Sequence, residues 1–211
     1  MSKTLVAIGD SITRGTFTGE NDPYPRSIAN PNFAELVAGS LGYDALINYG
    51  ENGVSVSSTS PTLPQFAVCK RVDEFESADT ALVAIGTNDF GNDVALGTPF
   101  DTTDISFFGA LDILYRKLQV KYKRVYVVTP IKRLTSDKNK AGFTLEDYRN
   151  AIEYKAKQYA FPVIDGYKIP INPYDENERK RLILDGLHPN TQGHRLYADY
   201  VIKAMRELNN E

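Results

Sequence analysis

The chain has one cysteine, two histidines and no tryptophan among 211 residues. A single thiol cannot form an internal disulfide framework, and it rules out a cysteine-based metal site. Cys69 follows Phe66-Ala67-Val68 and reads as a small buried hydrophobe. No apolar run approaches the length a bilayer demands, so no membrane span is expected. Met1-Ser2-Lys3 leads straight into a short strand-like run, without the apolar core of a signal peptide. A cytoplasmic protein is therefore the default, although a phage-borne or trimmed secreted domain would look the same. Net charge is −3 and no dense basic stripe appears, which argues against nucleic acid as a partner. Lys132-Arg133 and Arg179-Lys180-Arg181 are short basic clusters that read as solvated surface. With no repeat, low-complexity segment or linker, residues 1–211 are expected to form one domain.

What is present is an alternation of short apolar runs and longer helical patterns, the signature of a parallel α/β sheet. Strands are predicted at Leu5–Gly9, Ala45–Tyr49, Ala81–Ile85, Val125–Thr129 and Pro162–Asp165. Their near-continuous apolar character suits strands covered on both faces. Helices are predicted at Asn32–Ser40, Ile105–Tyr122, Leu145–Tyr159 and Thr191–Leu208. The last is amphipathic through Leu196, Tyr200, Val201 and Met205. Thr144 is placed to cap its helix, with Asp147 in the position usually held by Glu. Thr16–Pro31, Gly91–Asp104, Ile131–Phe143 and Gly166–Leu184 read as irregular.

With only two histidines, the surroundings of each carry weight. His188 lies three residues after Asp185 in Asp185-Gly186-Leu187-His188-Pro189, and the chain opens with Gly9-Asp10-Ser11 after its first apolar run. A nucleophilic serine needs a base for its proton, and the base needs a carboxylate to fix its tautomer. Ser11, His188 and Asp185 are the candidates for those roles. Alone, Ser11 would read as a helix N-cap and Asp185 as the cap of a turn. His194 lacks a partner motif and reads as a surface or packing residue. The Gly9–Gly15 loop lacks the lysine and spacing of a phosphate loop, and no Gly-x-Gly-x-x-Gly pattern occurs. No His, Cys and carboxylate cluster has metal-ligand spacing, so neither metal nor cofactor is expected.

Two further segments complete a pattern. Asn48-Tyr49-Gly50-Glu51-Asn52-Gly53 follows the second apolar run, and Gly86-Thr87-Asn88-Asp89 follows the third. With Gly-Asp-Ser first and Asp-x-x-His-Pro last, these four blocks stand in the order seen in the SGNH hydrolases, also called GDSL-type esterases. The chain resembles that family from Gly9 to Pro189. The resemblance implies a flavodoxin-like three-layer α/β/α sandwich with a mainly parallel five-stranded sheet. It implies that Ser11, Gly53 and Asn88 converge beyond the carboxyl ends of strands, where ligands of open α/β sheets gather. Backbone N–H groups of Ser11 and Gly53 and the Asn88 amide are the candidate oxyanion hole, donors for the negative oxygen of a tetrahedral intermediate. Asp10 and Asp89 are then loop scaffold.

The expected activity is metal-independent carboxylic ester hydrolysis through an acyl-enzyme, with a small-molecule or carbohydrate ester as partner. The absence of tryptophan and of a long apolar lid favours short acyl groups such as acetyl. Tyr24, Phe90, Phe100, Phe107 and Phe108 are candidates for the acyl wall, with core packing as their commoner fate. Acyl transfer to a sugar hydroxyl, thioester or lysophospholipid hydrolysis, and a non-catalytic carbohydrate-binding module on the same fold are the alternatives. Gly91–Asp104 and Ile131–Phe143 are the loops expected to set specificity.

Overall fold

The structure, a computed structural model, describes residues 3–19, 22–135 and 137–209, with the side chains of residues 22–26 outside the described set. Its elements run β1 (Thr4–Gly9), α1 (Ser11–Arg14), β2 (Thr16–Gly19), β3 (Asp22–Ile28), α2 (Phe33–Ser40) and β4 (Ala45–Gly50). Then come α3 (Val68–Arg71), β5 (Ala78–Ala84), α4 (Thr87–Gly91), α5 (Phe107–Lys121) and β6 (Tyr122–Val128). The chain closes with α6 (Leu145–Gln158), β7 (Val163–Ile164), α7 (Glu176–Leu182) and α8 (Thr191–Asn209).

Five strands form one sheet in the order β4-β1-β5-β6-β7, with every neighbouring pair parallel. The fold is the expected three-layer α/β/α sandwich. Successive strand side chains point to opposite faces, and in the inner strands β1, β5 and β6 both faces are covered, while edge strand β4 is only partly so. Val6, Ile8, Val83 and Val127 pack with Phe107, Leu111, Leu114, Tyr148 and Ile152 of α5 and α6. Leu5, Ala7, Leu82 and Val128 pack with Phe33, Val37, Tyr197, Val201 and Met205 of α2 and α8. This two-sided burial is why the strands read as unbroken apolar runs.

Local chemistry sets the helix ends. Asn32 accepts from the N–H groups of Ala34 and Glu35, and the Glu35 side chain returns to the Asn32 N–H. Thr144 and Asp147 form the same reciprocal box at α6, as expected. Among the described residues, no helix is long and apolar enough to cross a membrane.

Several expectations need correction. Thr16–Pro31 is not irregular throughout: β2 and β3 pair antiparallel as a separate two-stranded sheet. Pro23 and Pro25 mask β3 in the sequence, since proline is read against strand structure. Gly166–Leu184 contains α7, whose Glu-Asn-Glu-Arg-Lys-Arg-Leu sequence has no apolar period and buries only Leu182. β5 and β6 each begin three residues earlier than expected and end one residue earlier, because polar residues such as Asp79, Lys123 and Arg124 hide their first halves. The α5 helix starts at Phe107 rather than Ile105, because Ser106 caps it by accepting from the Gly109 N–H.

Candidate active site

The first block sits at the junction of β1 and α1. Asp10 precedes α1 and accepts the Ile12 N–H at 2.9 Å, which starts the helix at Ser11. Gly9 is required by close packing: a Cβ there would stand 2.0 Å from Thr13 Oγ1 and 2.4 Å from the Ala84 carbonyl. Register places Gly9 opposite Gly50 of β4 and Ala84 of β5, so the loops after all three strands start from adjoining ends. Asn48 reinforces this junction by donating to the Thr13 carbonyl at 2.9 Å.

The last block folds back onto the same edge. Ser11 Oγ lies 2.9 Å from His188 Nε2, and His188 Nδ1 lies 2.7 Å from Asp185 Oδ2. A carboxylate can only accept, so Nδ1 carries the proton and leaves Nε2 of the neutral ring to accept from the Ser11 hydroxyl. Ser11 and His188 are buried, while the Asp185 side chain is 27 % exposed. The turn between them is tight: Asp185 Oδ1 accepts the N–H groups of Leu187 at 2.9 Å and His188 at 2.7 Å. Gly186 has φ +73°, and a Cβ there would meet Leu134 at 2.4 Å. Turn-capping and imidazole-orienting roles thus coexist in Asp185, one oxygen for each. Burial raises the Asp185 pKa, but the hydrogen bonds from His188 outweigh it and hold the carboxyl well below the usual range.

The two middle blocks are tied together through α4. Asn88 Nδ2 donates to the Val54 carbonyl at 2.8 Å, directly after Gly53, whose φ is +76°. One Asn88 N–H is so engaged, and a second remains. Asp89 is fully buried and accepts the N–H groups of Val56 and Ser57. Burial pushes its pKa up to about 7, against the pull of those N–H groups. Asp10 is pushed up to about 6 by burial, against the pull of the Ile12 N–H and the nearby Arg133 charge.

Sequence reasoning missed two residues. Thr18, on β2, donates to Asp185 Oδ2 at 3.0 Å, so the hairpin touches the carboxylate directly. Its Thr-Phe-Thr alternation was the available signal. Arg133 is not solvated surface: it donates to the Thr87 carbonyl at 3.0 Å and lies over the Phe90 ring at 5.7 Å. Its neighbour Leu134 donates its N–H to the Gly186 carbonyl at 2.6 Å, so the loop after β6 joins the Asn88 helix to the His188 turn.

Burial decides the remaining alternatives. Phe90, Phe107 and Phe108 are buried in the core and cannot wall a pocket, while Phe100 is 87 % exposed. The Tyr24 side chain lies outside the described residues. For His194 the packing alternative holds: it is fully buried, stacks on Phe33 and accepts the Phe33 N–H at 3.2 Å. Cys69 is buried as expected, and burial pushes its thiol up to about 12. Among the described residues, no three His, Cys, Asp or Glu side chains are grouped to hold a metal ion.

Residues 7–196 match the GDSL-like lipase/acylhydrolase family. The fold is similar to a crystal structure of a Lactobacillus plantarum protein, with 24% identity, TM-score 0.81 and 97% of each chain covered. A protein from Chitinophaga pinensis described as a possible lipase has 21% identity and TM-score 0.72 over 99% of each chain. An acetylxylan esterase from Geobacillus stearothermophilus has 18% identity and TM-score 0.63, covering 96% of this chain and 93% of its own. A comparison with curated proteins finds no match.

Proposed function

Because the chain belongs to the GDSL-like lipase/acylhydrolase family, we propose that it is a serine-dependent carboxylic ester hydrolase. Its substrates are short-chain acyl esters, acetyl above all, of a carbohydrate or small alcohol. The observation that carries this is the unbroken hydrogen-bonded line from Ser11 Oγ through His188 to Asp185, at 2.9 Å and 2.7 Å.

Ser11 Oγ attacks the ester carbonyl carbon as its proton passes to His188 Nε2. Asp185 stabilises the resulting imidazolium. The carbonyl oxygen becomes an oxyanion and takes hydrogen bonds from the Ser11 and Gly53 N–H groups and the second Asn88 N–H. The alcohol leaves with the proton from His188, and the acyl group stays on Ser11. Water then adds to the acyl carbon, giving a proton to His188, which returns it to Ser11 Oγ as the acid departs. Asp10 and Asp89 hold the loops without touching substrate. Residues 1–211 act as one catalytic unit, a view supported by one five-stranded sheet whose strand ends lead to Ser11, Gly53 and Asn88, with the turn before α8 bringing His188 to Ser11.

Support for a short acyl group is that Phe90, Phe107 and Phe108, three of the aromatic candidates for the acyl wall, are consumed by the core and leave less apolar surface to line a long chain. An acetylxylan esterase shares the fold. The test is hydrolysis of p-nitrophenyl acetate, butyrate and octanoate by this protein and by Ser11→Ala. The acetate is expected to be cleaved fastest, with a burst of p-nitrophenol equal to the enzyme present and loss of activity in Ser11→Ala. Equal rates in both proteins would exclude Ser11 as the nucleophile.

A further inference from the structure

A groove of about 380 Å³ lies on the same edge of the sheet, between the loop after β6, the start of α6 and the segment after β7. Arg133, Lys132, Thr135, Glu146, Tyr167 and Tyr174 line it. It adjoins the Ser11–His188–Asp185 line through Arg133 and Leu134. Arg133 reaches Thr87, next to Asn88, and Leu134 is bonded to Gly186, inside the His188 turn. The Arg133 charge is felt by Asp10 and Asp185 on one side and by Tyr174 on the other.

Three features define what would fit. Tyr174 is 59 % exposed, an aromatic face left bare in a loop that Asn172 holds by accepting the Tyr174 N–H. Tyr167 lies opposite, its ring fixed under the Arg149 guanidinium at 5.3 Å. Arg133 closes the inner end of the groove, its guanidinium held in place by Nη1 donating to the Thr87 carbonyl at 3.0 Å and hydroxyl at 3.2 Å. Donors and acceptors of both signs share one groove, which disfavours a strongly charged ligand. The exposed lining is more apolar than polar, but Lys132, Thr135, Thr144 and Glu146 set polar groups among the apolar surface, which an unbroken acyl chain would leave unpaired. A sugar suits it: the C–H face of a pyranose covers an aromatic ring, while its hydroxyls both donate and accept. The volume lies at the lower end of the range for small-molecule sites, about 300–1,000 Å³.

We propose that this groove is a subsite for the neutral sugar portion of the ester, with Tyr174 as its stacking platform and Arg133 as its floor. It rests on the esterase proposal for its meaning but is testable without turnover. The probes are xylobiose, cellobiose and N-acetylglucosamine, titrated into the Ser11→Ala protein and followed by calorimetry. At least one is expected to bind saturably, Tyr174→Ala in the same background to weaken it about fivefold to tenfold, and Tyr174→Phe to keep it. In the active protein, Tyr174→Ala should lower kcat/KM for xylose tetraacetate about as much, relative to that for p-nitrophenyl acetate. No saturable binding of any of the three sugars, or binding that Tyr174→Ala leaves unaltered, would overturn the subsite. Sugar binding by a protein that cleaves neither ester would uphold the subsite and overturn the esterase proposal alone.

Discussion

Replacing Asp185 with asparagine tests the proposed base while conserving shape. In the native chain, Oδ1 accepts two backbone N–H groups, from Leu187 at 2.9 Å and His188 at 2.7 Å. Oδ2 accepts from His188 Nδ1 at 2.7 Å and Thr18 Oγ1 at 3.0 Å. An asparagine must keep its oxygen on the two N–H groups, because an NH₂ there would face two donors. Reversing the amide forfeits two hydrogen bonds of about 1 kcal/mol each, so the forward orientation is populated at least tenfold over the reverse. Its NH₂ group then stands where Oδ2 stood. One hydrogen points at His188 Nδ1, and the other meets the Thr18 hydroxyl, which can rotate to accept. The imidazole proton is thereby driven to Nε2, facing Ser11 Oγ across 2.9 Å. Ser11 would now accept where it should donate, and the charge that stabilises the imidazolium is gone. The expected loss in kcat is about 10³–10⁴, the scale seen when a triad carboxylate becomes an amide. The thermal midpoint should move little, since most hydrogen bonds survive. Steady-state hydrolysis of p-nitrophenyl acetate, with a melting curve beside it, measures both. A variant that keeps more than about a tenth of the native kcat would refute the assignment of His188 as base and Asp185 as its partner.

Two further perturbations follow from the same geometry. Asn88→Ala removes the side-chain donor and its tie to Val54, and kcat should fall about 10²–10³ with KM nearly unchanged; a loss under about threefold would remove Asn88 from the oxyanion hole. The raised Asp89 pKa gives a pH dependence of stability. A carboxyl whose folded pKa lies above its unfolded value of 3.8 stabilises the fold below that value, and the contribution is lost as pH rises through about 7. The melting midpoint of Asp89→Asn should therefore gain on that of the native protein between pH 5 and 8. The difference should grow by a few kcal/mol, or roughly 5–10 °C. A difference that stays flat over this range would show that the Asp89 carboxyl is not displaced by burial.

Most of the fold was legible because both faces of the sheet are covered. Leu5 and Ala7 face one helical layer while Val6 and Ile8 face the other, so no alternation dilutes the apolar run. The site was legible for a related reason. Ser11, Gly53 and Asn88 follow adjoining strand ends, so a motif after each run is a motif at one edge. What stayed hidden was structure made by contacts between segments distant in sequence. Nothing near Thr18 announces that it will meet Asp185, 167 residues away. His194 has an ordinary helical neighbourhood, and only the docking of α2 against α8 buries it beside Phe33. Arg133 looks like a surface cation until α4 lies beneath it. At most a local signal assigns such a residue to an element, as the Thr-Phe-Thr alternation does for Thr18, and only the tertiary packing assigns its partner.

The buried motif carboxylates show where stability yields to preorganisation. Asp10 and Asp89 are both buried, and burial pushes both pKa values well above the ordinary 3.8. Ionised at neutral pH, they disfavour the folded state. Each nevertheless spends its oxygens on backbone N–H groups that set an active-site loop. Asp10 starts α1 so that Ser11 occupies its first position, and Asp89 holds Val56 and Ser57 just beyond Gly53. Because Asp89 and Asn88 share α4, one five-residue helix fixes both the Asn88 amide and the loop bearing the Gly53 N–H. Donors aimed in advance need no reorganisation when an oxyanion forms, which is what makes them effective. A hydrophobic isostere at position 89 would relieve the buried charge but leave the buried N–H groups of Val56 and Ser57 without an acceptor. Asparagine there removes the charge and keeps one acceptor for those N–H groups, so above pH 7 it should stabilise the fold while loosening the loop that carries Gly53, as happens where function holds a site away from its most stable sequence.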